Sequence, residues 1–166
     1  MELGESLVLE RSRVVLNKLL PEQVAKFWDI IKFAAEQSLP PTVVDSPDNM
    51  NRLLAAALSG AIAVWVTYEK KEVVVSLEGI VITNFLYDNV SDTRSLLIYS
   101  LYGYNSISSE GWREGFKGLA KYAKARGCNQ IVAYTNSNAV IEAVKHLGGE
   151  ASYTFVSFNL DKLLED

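Results

Sequence analysis

The sequence predicts a mixed α/β (α+β) domain, one sheet of about six or seven strands with helices on both faces. Three observations carry the prediction. First, Arg94 to Gly149 reads strand, loop, helix, strand, helix: Ser95–Tyr104 is extended, Glu110–Arg126 helical, Gln130–Thr135 extended and Asn138–Leu147 helical. Two short apolar strands joined by a helical crossover imply a parallel pair, because a parallel connection needs a dozen or more residues. Second, Ala61–Tyr68 and Val73–Tyr87 are rich in β-branched and aromatic residues and flank the charged turn Glu69–Glu72, an antiparallel hairpin pattern. Third, 166 residues, 49% apolar and 22% charged, suit one soluble domain with one core, residues 1–166.

Along the chain, Ser6–Leu9 reads as a short first strand. Leu20–Glu36 reads as one helix: Pro21 fits the first turn, and Leu20, Val24, Phe27, Ile31 and Ala34 recur at helical spacing. Pro40 and Pro41 end it. Ser46-Pro47-Asp48 opens a second helix with Ser46 as its cap, and Gly60 closes it. Gly79 interrupts the long second strand of the hairpin, marking a bulge or a close backbone approach. Ser95–Tyr104 then runs antiparallel to that strand.

The crossover helix carries Trp112, Phe116, Leu119 and Ala123 on one stripe, the pattern of a helix lying on a sheet. Arg113, Lys117, Lys121 and Lys124 lie mostly away from the stripe, as a solvated face or a phosphate contact. Gly111, Gly115 and Gly118 each cost about 0.8–1 kcal/mol against alanine in a helix, so something packs close to that backbone, a strand or a ligand. Asn138 reads as the cap of the last helix, and Gly148-Gly149 stops it. Ser152–Leu160 alternates and reads as a terminal strand.

The net charge of −4 argues against a nucleic-acid partner. No run approaches the ~18 apolar residues of a membrane helix, and Met1–Arg11 has no signal-peptide core, which predicts a cytoplasmic protein. The lone Cys128 rules out an internal disulfide and fits a reducing compartment, as a packed apolar residue or a reactive thiol. One histidine and one cysteine without paired spacing predict no metal site. No P-loop, dinucleotide fingerprint or serine-hydrolase elbow is present.

This element order, together with the run LAKYAKARGCNQIVAYTNSNAVIEAVKHLGG, resembles the GNAT acetyltransferase superfamily. The resemblance spans nearly the whole chain by element order and is sharpest from Leu119 to Gly149, where Ala123, Gly127, Asn136 or Asn138, and Gly148 match framework positions. It implies acetyl-CoA as cofactor, held where the third long strand and the following strand splay apart. The pantetheine would pair with the backbone around Tyr99, Ser100, Leu101 and Tyr102. The pyrophosphate would meet the loop carrying Asn105, Ser108, Ser109 and Gly111, at a helix N-terminus, and Asn136 and Asn138 are further cofactor-binding candidates.

In the family that loop reads Gln or Arg, two residues, Gly, one residue, Gly or Ala. The matching positions here are Asn105, Ser108 and Glu110. A carboxylate in the first turn already answers the helix dipole and would repel a pyrophosphate, so Ser109 with Glu110 reads as self-capping. Where many members carry a catalytic tyrosine in the final helix, this chain has Ala143 and Val144, with His146 the nearest titratable group. Glu78, in the middle of the sheet, is the candidate general base if it is buried rather than solvent-facing. Tyr102 is the other catalytic candidate; with Tyr99 and Tyr104 it lines a cleft or packs half-buried. The implied activity is acetyl transfer to a small-molecule or peptide amine. The alternative is a GNAT-fold binding or structural module without activity, dimerising through its terminal strand or a helix face.

Overall fold

The structure, a computed structural model, describes residues 13–104 and 107–165. The proposed strand Ser6–Leu9 and the loop residue Asn105 lie outside the described residues. The elements are β1 (Arg13–Lys18), α1 (Pro21–Lys26), α2 (Trp28–Gln37), α3 (Asn49–Ser59), β2 (Ala63–Lys71), β3 (Val74–Asp88), β4 (Thr93–Gly103), α4 (Ser109–Ala125), β5 (Gln130–Ala133), α5 (Asn138–His146) and α6 (Leu160–Leu163). Among the described residues the sheet has five strands in the order β1-β2-β3-β4-β5, not six or seven. The first three pairings are antiparallel and the last is parallel. The helical crossover between β4 and β5 therefore does what its length required.

The two sheet faces hold separate cores. On one, Val24, Ile31, Ala34, Ala35 and Ala57 of α1–α3 pack on Val64, Ile80 and Ile82. On the other, Leu119 and Ala123 of α4 pack on Ala63, Trp65, Val81, Leu96 and Ile98. Cys128 packs at the edge of this second core, as a small apolar residue does. Its centre is aromatic: Trp65 meets Tyr122 edge-on at 4.8 Å and donates from Nε1 to Thr83 Oγ1 at 3.0 Å. α4 closes on β1 because Gly118 leaves room; a Cβ there would lie 2.9 Å from Leu16 Cδ2.

Several expectations are corrected. The helix expected over Leu20–Glu36 is two, because Phe27 adopts φ −104°, ψ 21° between α1 and α2. Ser46 does not cap α3; its hydroxyl accepts from Asp48 N–H at 3.3 Å, and Asp48 holds the N-cap position. Gly60 ends α3 at φ +82°, as expected. Ser108, not Ser109, caps α4, accepting from Gly111 N–H at 2.9 Å. Ser137, not Asn138, caps α5. In both cases two neighbouring residues can cap, and the one with extended backbone does so. Ser152–Leu160 forms no strand: residues 151–159 have no ladder partner, and α6 starts at Leu160.

Candidate active site

Two one-residue bulges build the site. In the β2–β3 ladder Thr67 pairs with Gly79 and Tyr68 with Leu77, so Glu78 has no partner in β2. In the β3–β4 ladder Ile82 pairs with Ser100 and Thr83 with Ile98, so Tyr99 has none in β3. A bulge re-aims the side chains around it.

At Tyr99 the phase of β4 reverses. Leu96 and Ile98 face the α4 side, and so does Leu101; Tyr99, Tyr102 and Tyr104 pack on the α1–α3 side. The same point ends the parallel ladder. β5 pairs with β4 only from Ser95↔Gln130 to Ile98↔Ala133. Beyond it, Ser100–Gly103 pair with β3, and among the described residues no strand pairs with the other backbone edge of Tyr99–Gly103. Every residue of β5 is paired, so the ladder ends with β5, and the wedge is the stretch of β4 that runs on past it. Gly79 permits the close strand approach beside the wedge, since a Cβ there would lie 2.9 Å from the Tyr102 carbonyl.

At Glu78 the bulge turns a carboxylate under the start of α4. Glu78 is 8% exposed. Its Oε1 accepts from Ser108 N–H at 3.2 Å, while Oε2 is shielded and has no partner among the described residues. Gly111 is glycine because of this: a Cβ there would lie 2.8 Å from Glu78 Oε1. Glu78 also lines a cavity of about 30 Å³ between α4 and the sheet, with Thr67, Leu101, Ile107 and Gly115. That is about the volume of one water.

The two side chains expected to carry catalysis are therefore not brought together. Glu78 is buried on the α4 side; Tyr102 lies on the α1–α3 side. Tyr102 meets Tyr104 edge-on at 5.0 Å and Phe33 at 5.9 Å. Burial raises the Tyr99 pKa above the ordinary tyrosine value. Burial and then the neighbouring Tyr102 raise that of Tyr104, whose hydroxyl is shielded and unpartnered among the described residues. Both rings keep their protons through neutral pH.

Ser100 is buried and shares a hydrogen bond of 2.6 Å with Ser38 Oγ, which ties the end of α2 to β4. Sequence reasoning passed over Ser38; its place just before the two prolines was the available signal. Ser108 and Ser109 are exposed, as are Asn136 and Asn138 beyond β5 and His146 at the end of α5. A larger cavity, about 160 Å³, lies at the opposite end of the sheet near Leu19, Gly60, Phe85 and Arg126. Among the described residues no carboxylate, cysteine or histidine lines it. Among the described residues no three His, Cys, Asp or Glu cluster as a metal site would require, and no helix is long and apolar enough to cross a membrane.

No family model matches the sequence. No curated protein sequence matches it either. Solved structures do. One described as a predicted acetyltransferase with acetyl-CoA, from Clostridium acetobutylicum, has a TM-score of 0.64 at 15% identity, covering 90% of this chain and 98% of that one. A ribosomal-protein-alanine N-acetyltransferase from Brucella melitensis biovar Abortus has 0.60 at 15% identity, covering 89% and 99%. An aminoglycoside acetyltransferase from an uncultured soil metagenomic sample, in complex with sisomicin, has 0.62 at 14%, covering 88% and 94%. At such identities the likeness speaks for the fold alone.

Proposed function

From its GNAT acetyltransferase fold and the wedge in its sheet, we infer that this chain is an acyl-CoA-dependent N-acyltransferase acting on a small-molecule or peptide amine. The carrying observation is the ladder that stops at Ile98↔Ala133 while β4 continues to Gly103. That leaves a row of backbone donors and acceptors, at Tyr99–Tyr102, for the amide groups of a pantetheine arm. The bulged backbone at Tyr99 would supply an N–H to the thioester carbonyl as negative charge builds on its oxygen.

The chemistry needs few groups. The neutral amine attacks the thioester carbon, the carbon–sulfur bond breaks, and the acyl group stays on nitrogen. The nitrogen's extra proton goes to water, and the departing thiolate takes a proton from a tyrosine hydroxyl. Tyr102 is assigned that role, with Tyr104 against its ring. Glu78 is assigned to the base of the cofactor loop, because its carboxylate already holds Ser108 N–H.

That hydrogen bond also favours a second reading, a GNAT-fold module that no longer binds a nucleotide. Glu78 lies under the start of α4 and Glu110 stands in its first turn, so two carboxylates occupy the end where a pyrophosphate would rest. One experiment separates the readings. Acetyl-CoA at millimolar concentration should raise Tm by a few degrees, because a ligand that binds only the folded chain stabilises it. CoA release with a panel of amines then identifies the acceptor. A folded chain with no Tm shift supports the module reading and removes the enzymatic one.

A further inference from the structure

The cavity of about 160 Å³ at the far end of the sheet owes its space to small residues. Ala57, Gly60, Ala61 and Ala63, around the turn from α3 into β2, carry nothing beyond a Cβ. Gly60 stands in the left-handed region at φ +82°, and a Cβ there would meet nothing within 4 Å. The turn therefore leaves a space that α1, β3 and the end of α4 border but do not fill. Val24, Val64 and Phe85 supply apolar wall. An apolar cavity of about 150 Å³ has room for a benzene ring.

The charged groups at this cavity are of one sign. Lys18, the last residue of β1, and Arg126, the C-cap residue of α4, both line it, and both are exposed. Each stands over the ring of Tyr122, Lys18 Nζ at 5.6 Å and Arg126 Cζ at 4.5 Å from its centroid. Arg126 Nη1 also donates to the Tyr122 hydroxyl at 3.1 Å, which leaves the phenol proton to be donated in turn. Among the described residues neither cation has a carboxylate partner. Thr83, 1% exposed in the cavity wall, accepts from Trp65 Nε1 and keeps its own O–H to donate. We propose that this cavity binds a small monocarboxylate whose apolar body is the size of a benzene ring, the body against Val24, Val64 and Phe85 and the carboxylate at Lys18 and Arg126.

Charge selects the ligand. An ammonium group would meet two cations and no carboxylate among the described residues, so this is not the seat of an acyl-accepting amine. An inorganic anion would answer the cations but leave the apolar wall unfilled. A carboxylate on a compact apolar body uses both, with the wall giving affinity and the polar groups fixing orientation. The cavity is bordered by α1 and α3 from one face of the sheet and by the end of α4 from the other. A bound ligand would therefore tie the two helical layers together, and the site rests on none of the acyl-transfer reading.

The test titrates benzoate into the full chain and follows backbone amide shifts by NMR. Benzoate should saturate at about millimolar concentration, moving the amides of Leu19, Gly60 and Ile62 most. Benzylamine, with a ring of the same size and the opposite charge, should not bind there. Lys18→Gln with Arg126→Gln, both at exposed positions, should weaken benzoate about fivefold at unchanged circular dichroism, the size two exposed charge contacts carry. If that variant fails to fold, Ala61→Phe adds a ring at the mouth from an exposed turn and should abolish binding with both cations in place. The proposal is overturned by the absence of saturation, by shifts centred elsewhere, or by equal binding of benzylamine. It is overturned equally by a benzoate affinity that neither substitution changes.

Discussion

Glu78 Oε1 and Ser108 N–H, thirty positions apart in sequence, are joined by a hydrogen bond of 3.2 Å. A carboxylate of the sheet thereby stands at the N-terminal end of the longest helix, where the dipole welcomes negative charge. A phosphate approaching the same donors would meet that charge first. Glu78→Gln keeps the shape and the acceptor and removes the charge. At an effective dielectric near 20 the repulsion over ~6 Å is about 2–3 kcal/mol, reduced by salt. Affinity for acetyl-CoA, measured by titration calorimetry, should therefore tighten about tenfold. Unchanged affinity would remove Glu78 as the obstacle.

The glycines of α4 should respond with opposite signs. At Gly115 a Cβ would meet nothing within 4 Å. Gly115→Ala should then stabilise the fold by about 0.5–1 kcal/mol through helix propensity. At Gly111 the Cβ would lie 2.8 Å from Glu78 Oε1 and 3.1 Å from Ile107 Cγ2. Gly111→Ala should destabilise by about 1–3 kcal/mol as carboxylate and loop are forced apart. Urea unfolding of both variants checks the pair.

Tyr104→Phe removes a shielded hydroxyl that has no hydrogen-bond partner among the described residues. Deleting an unsatisfied polar group while keeping the ring should be neutral or stabilise by up to about 1 kcal/mol. Thermal unfolding reads this directly. A loss of more than about 1 kcal/mol would show that the hydroxyl is bonded in solution.

Alkaline pH should weaken the fold through the same ring and through Tyr99. Burial raises both hydroxyl pKa values above the unfolded one. A raised folded pKa contributes stability that is complete below the unfolded value, near 10, and fades as pH climbs through the folded value. Unfolding free energy should therefore decline above about pH 10, and more shallowly in the Tyr99→Phe, Tyr104→Phe double variant.

The crossover from β4 to β5 was legible because its signals are local: an apolar run, a helical stripe ending at Gly127, another apolar run. β1 was missed because Arg13, Asn17 and Lys18 interrupt its pattern; it is a strand through its pairing with Lys70–Trp65 of β2, fifty residues away. Ser152–Leu160 fails in the opposite sense, with the right pattern and no partner strand within the described residues. The face of Glu78 was not legible. Alternation would send it with Ile80 toward α1–α3, and only the missing partner between Thr67 and Tyr68 turns it the other way. Gly79 beside it was the visible trace. The wedge itself lies in backbone pairing, which the side chains of Tyr99, Ser100 and Leu101 do not encode.

The residue at position 99 has no partner in β3. Taking it out would zip β4 evenly onto β3, and Leu101, Tyr102 and Tyr104 would keep the faces they have, because Ile98 and Ser100 are already consecutive pairs on Thr83 and Ile82. Adding one residue after Ser100 would do the opposite, driving the rings of Tyr102 and Tyr104 beneath α4 and putting Leu101 in their place. Such an insertion should be far more damaging than loss of Tyr99, because it rewrites the inside-outside code of the remaining strand.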